Sequence, residues 1–96
     1  KKAVKKLGIL FRRNGYIRRL DTVRRETDGH LYKKGAEVRL VADTRAELSE
    51  IRRLLKQVGI KPGRPFSKAR QWRQPVYGVV AVAQFLELIG WSPDEE

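Results

Sequence analysis

Behind Thr44 the apolar residues Leu48, Ile51, Leu55 and Val58 recur at three- and four-residue spacing until Gly59. This run sets what the rest of the chain must supply. Thr44-Arg45-Ala46-Glu47 fits a capping box, in which the threonine hydroxyl and the glutamate carboxylate serve the free N–H groups of a helix start. The spacing therefore predicts an amphipathic helix in mid-chain, and such a helix needs a second layer to cover its apolar stripe. Two further stripes have the same period. Val4, Leu7, Leu10 and Phe11 predict a helix over Lys1 to Phe11, with Asn14-Gly15 as its stop, and Val82, Phe85, Leu86 and Ile89 predict a last helix closed by Gly90.

Between the helices the period shortens toward two. From Tyr16 to Arg25 and from Ala36 to Asp43 the pattern is that of strands, with Val38, Leu40 and Ala42 on one face and Glu37, Arg39 and Val41 on the other. Thr27-Asp28-Gly29 and Lys34-Gly35 mark turns between them. Beyond Pro62-Gly63, Phe66 to Trp72 and Val76 to Val80 read as a second pair, broken at Gln74-Pro75 because proline lacks the donor a central ladder needs. The expected fold class is α+β, in the order α-β-β-α-β-β-α with an antiparallel twisted sheet. One domain spans residues 1–92, and residues 93–96, ending Asp94-Glu95-Glu96, read as a frayed acidic tail.

Charge narrows the function. Lys and Arg number 22 against 11 Asp and Glu, a net +11 in 96 residues. That exceeds what solubility requires and points to polyphosphate. A disordered basic tail is excluded by the 41% of hydrophobic residues interleaved with the charges. A membrane span is not expected either, since the most apolar stretch, Val76 to Ile89, is short and interrupted by Gln84 and Glu87. The start of the chain lacks a secretory leader pattern. With no cysteine and a single histidine, thiol catalysis and His/Cys metal sites are not expected, and the cytoplasm is the expected compartment.

The order of elements, Leu-Gly-Ile-Leu-Phe-Arg-Arg-Asn-Gly at residues 7–15, the exit Gly15-Tyr16-Ile17, Gly59-Ile60 after the central helix and Phe85-Leu86-Glu87-Leu88-Ile89-Gly90 together resemble the LAGLIDADG homing endonucleases. The similarity covers nearly the whole chain. It implies a saddle-shaped sheet lying across the DNA major groove and two copies packed through their first helices, for which Val4, Leu7, Gly8 and Phe11 are the candidates. Expected nucleic-acid contacts are Arg18, Arg24, Arg39, Lys68 and Arg70, with Lys33 and Lys34 in a turn near the backbone and Arg73 and Trp72 beside them; Arg19 and Arg25 replace their neighbours if the strand phase is shifted. Trp72 is equally readable as a base-stacking ring, a cation–π partner or a partly buried strand residue.

The sequence departs from the family where it matters for chemistry. The carboxylate that would hold the divalent metal is Asn14 here, and an amide is a poorer Mg²⁺ ligand than a carboxylate. The motif's other acidic position is Arg12, and Arg12 with Arg13 would repel a cation. Asn14 also reads as a helix C-cap in a left-handed backbone. The leading expectation is thus a sequence- or shape-selective DNA-binding homodimer that does not cleave, with no cofactor and Mg²⁺ needed only if cleavage is retained. One alternative is an RNA-binding splicing (maturase-like) or ribosome-associated module, since some family members assist intron splicing. Another is an active metal-dependent endonuclease using Asp21, Glu26 or Glu37. His30 reads as a loop residue, Tyr16, Tyr32 and Tyr77 as packing residues, Arg52, Arg53 and Lys56 as a solvated helix face, and Trp91 as a cap on the core edge.

Overall fold

The computed structural model describes residues 1–19 and 35–95. Their order is α1 (Lys2–Asn14), β1 (Tyr16–Arg18), β2 (Glu37–Ala42), α2 (Arg45–Gln57), β3 (Phe66–Lys68), β4 (Gln71–Tyr77) and α3 (Val79–Leu88), followed by a 3₁₀ turn at Pro93–Glu95. The protein is α+β, and the α-β-β-α-β-β-α order holds. All strand pairs are antiparallel in one sheet of order β1-β2-β4-β3. The turns expected at Thr27-Asp28-Gly29 and Lys34, with Asp21, Arg24, Arg25, Glu26, His30, Tyr32 and Lys33, lie outside the described residues.

The helices share one core. Leu7, Leu10 and Phe11 of α1, Leu48, Ile51, Leu54 and Leu55 of α2, and Val82, Phe85 and Leu86 of α3 pack with Val38, Leu40 and Ala42 of β2 and Val76 of β4. Phe11 meets Phe85 and Trp91 edge-on, both with centroids 5.2 Å apart, so Trp91 does close the core edge. α1 starts without a side-chain cap and with lysines at a positive dipole end; packing, rather than its own termini, holds it. In α2 the expected cap forms: Thr44 Oγ1 accepts from the Glu47 N–H at 3.1 Å. Glu47 Oε1 in turn accepts from the Asp43 N–H at 3.0 Å, and Gly59 leaves the helix at φ +83°.

Three local expectations change. The second strand pair breaks at Ala69–Arg70, whose positive φ values of 53° and 65° form a two-residue hairpin loop between the paired Lys68 and Gln71. Pro75 instead sits inside β4. Its carbonyl accepts from Gly63 N–H at 2.8 Å on the side away from β2. A strand residue's N and O point the same way, so the missing proline donor falls at an edge that β3 has already left. Val79 and Val80 are helical: Gly78, at φ +100°, turns the chain out of β4, and its carbonyl receives the Val82 N–H.

Asn14 is the last residue of α1 and is not left-handed. The helix ends at Gly15 in an extended backbone (φ −70°, ψ 161°). Glycine is required there for closeness, because a Cβ would lie 2.3 Å from the Phe11 carbonyl oxygen.

Candidate nucleic-acid interface

With the three described α-helices on one side, strand alternation sorts the sheet residues. Ile17, Val38, Leu40, Ala42, Trp72, Gln74 and Val76 face the helices. Tyr16, Arg18, Glu37, Arg39, Val41, Phe66, Lys68, Gln71, Arg73, Pro75 and Tyr77 face the other way, as the register of the four strands requires. Arg18, Arg39, Lys68 and Arg73 are thus brought to one face. Arg70 stands in the hairpin loop beside them. Trp72 is on the helix side.

Glu37 organises the outward face. Only 2% exposed, it accepts from Arg18 Nη2 and Arg39 Nε, each at 2.5 Å. Arg18 also donates to the Gly35 carbonyl at 3.1 Å. The Arg39 guanidinium lies between two rings, 4.9 Å from the centroid of Tyr16 and 5.1 Å from that of Phe66. Its pKa is raised above the ordinary arginine value, first by the hydrogen bond to Glu37. Arg73 donates to Gln71 Oε1, and Gln71 Nε2 to Asp43 Oδ1. Tyr16 and Tyr77 are not packing residues: they are 43% and 53% exposed on this face. The face therefore carries fixed cations interleaved with aromatic rings.

The arginines beside Asn14 have other partners. Arg12 grips Glu95 with two bonds of 2.7 and 3.0 Å and reaches the carbonyls of Gly8, Ile89 and Gly90. Its guanidinium lies 5.4 Å from the Trp91 centroid. Glu95 is held below the usual carboxylate range by Arg12 first and then by the Ser92 N–H, so the expected frayed tail is tied down through residue 95. Arg13 pairs with Glu47 at 2.6 Å and donates to the Val41 carbonyl. That contact is the main reason the Glu47 pKa is lowered. Adjacent at the end of α1, Arg12 and Arg13 each receive a carboxylate from a distant segment of the chain.

Other expectations are corrected by burial. Leu7 and Phe11 are each 1% exposed within this chain's own core, and Gly8 lies against Ile89 and Arg12, so these residues are not available to a second copy. Val4 is half-buried, and the exposed apolar residue of α1 is Ile9. Arg52 is not a solvated cation. It donates to the Gly63 carbonyl and to Oε1 of Gln74, a fully buried glutamine that bonds Gly63 and Pro75 in turn. Glu37, proposed as a metal ligand, is engaged by two guanidiniums. Among the described residues no three His, Cys, Asp or Glu side chains gather as a metal site would need, and no helix is long and apolar enough to cross a membrane.

No family model, no curated protein and no solved structure matches this chain.

Proposed function

We propose that this chain binds double-stranded DNA across the outward face of its sheet and does not cleave it. The observation that carries the reading is the segregation of layers. The three described α-helices pack on one side, and alternate residues of the four described strands present Arg18, Arg39, Lys68 and Arg73 on the other. Arginine forks suit guanine edges and phosphates, and lysine suits phosphates. Glu37 and the Tyr16 and Phe66 rings fix the direction of Arg39 before any ligand arrives, which lowers the ordering cost of binding. The expectation of no cleavage rests on Asn14 at the metal-carboxylate position of the resembled family and on Glu47 and Glu95, which are committed to guanidiniums. The reading keeps the cytoplasm as the compartment. It also keeps association of two copies on DNA, through the side of α1 that carries Ile9.

A second reading, RNA binding, is favoured by the exposed Tyr16 and Tyr77 rings, because unpaired bases stack on such rings and a duplex offers none. A fluorescence anisotropy titration of duplex DNA and hairpin RNA over a salt series tests both. Duplex preference with a log–log slope of about −5 to −8 corresponds to roughly six to nine neutralised phosphates. The reading assigns these to the four face cations with Arg24, Lys33, Lys34 and Arg70. Preference for the hairpin moves RNA to first place, and binding to neither at low salt removes the nucleic-acid reading.

A further inference from the structure

We propose that the cleft between the first turns of α2 and the β3–β4 hairpin holds one unpaired base of a nucleic-acid strand, stacked on Trp72. The inference rests on the nucleic-acid reading above and adds a separate site, on the opposite side of the sheet. Trp72 lines this cleft together with Arg45, Leu48, Ser49, Arg52 and Pro65. One side of its ring belongs to the core periphery. Toward the cleft the ring is met by the exposed Arg45, whose guanidinium carbon lies 5.4 Å from the ring centroid.

That cover is exchangeable. An exposed guanidinium–ring contact is weaker than base stacking on an aromatic ring, so a base displaces it. The displaced Arg45 is then beside the strand's own phosphate. The wall behind is rigid, since Arg52 is fixed by the Gly63 carbonyl and Gln74. The approach to the cleft is basic: Arg64 precedes Pro65 and Arg70 stands in the hairpin loop, both exposed and neither in an ion pair within the described residues. The neighbouring Asp43 is already engaged by Gln71. Charge and ring together match a single-stranded nucleic acid and not an apolar peptide.

The test compares a short oligothymidylate with an abasic oligomer of equal length, which keeps the phosphates and removes the bases. Wild-type protein should bind oligothymidylate more tightly. W72L should lower that affinity by about 5- to 100-fold, the cost of one lost stack, and leave the abasic oligomer unaffected. If W72L does not fold, W91F carries the same test: Trp72 is then the only tryptophan, and saturating oligothymidylate should quench its fluorescence while the abasic oligomer does not. Equal affinity of the wild type for the two oligomers, or an unquenched Trp72 in W91F, overturns the proposal. Duplex binding retained alongside either result leaves the sheet-face reading intact, whereas loss of binding to all three ligands removes both.

Discussion

Replacing Glu37 by glutamine should weaken the fold and strengthen nucleic-acid binding at once. The carboxylate is 2% exposed, and its partners are also sheltered, with the Arg18 and Arg39 side chains 23% and 22% exposed. Removing one member of a fully buried ion pair costs about 3–5 kcal/mol, mostly from the charge left behind. Here two guanidiniums are left, but each retains some water and Arg39 keeps its two rings, so a loss of about 2–3 kcal/mol is expected. For a domain of this size that lowers Tm by roughly 10–20 °C. Binding moves the other way. The described cations of the outward face number four against the one carboxylate, and the substitution adds a full positive charge, steepening the log–log salt slope for duplex DNA by about 0.9. Thermal melting followed by circular dichroism and anisotropy titration at two salt concentrations read both effects. A variant that melts with the wild type, or that binds DNA less tightly while folded, would refute the role given to Glu37.

G15A should destabilise the chain by about 2–3 kcal/mol in urea denaturation, because its Cβ meets the Phe11 carbonyl and the buried Phe11 ring. A69G should raise the urea midpoint, gaining about 0.5–1 kcal/mol by relieving a left-handed alanine at φ 53°. The Glu47 carboxyl has a folded pKa below its unfolded value of about 4.3. Its contribution is therefore present above that value and is lost as pH falls through the folded pKa. E47Q should accordingly show a flatter decline of stability below about pH 5 than the wild type in acid-dependent denaturation.

The elements that could be read in the sequence were those whose signal is local. Thr44 with Glu47, the apolar stripe of α2 and the alternation at residues 37–42 each depend on neighbours a few positions away, and each appears as expected. The Ala69–Arg70 loop carries neither glycine nor asparagine, so no residue type announced it. Pro75 announced a break that the topology makes unnecessary, since only the fold shows that its missing donor points away from β2 toward Gly63, whose carbonyl is already served by Arg52 and Gln74. At the interface, alternation placed Arg39 opposite Val38 and Leu40 correctly. What could not be read was pairing across distance: Arg12 with Glu95, Arg13 with Glu47, and Arg52 with Gln74 join residues that only the folded chain brings together. Trp72 meets two of its three readings, as a half-buried strand residue and as the cation–π partner of Arg45, but it stands on the opposite side of the sheet from Arg73, because neighbours in a strand alternate faces.

Glu37 also bears on how this surface can change over generations. A carboxylate between two guanidiniums makes the three positions interdependent: losing the acid alone strands two charges, and losing either arginine alone leaves the acid buried with half its support. Positions 18, 37 and 39 are therefore expected to be inherited together or replaced together. Among the described residues the exposed Tyr77 and Lys68 carry no such tie, and they are where a lineage could alter its target one substitution at a time.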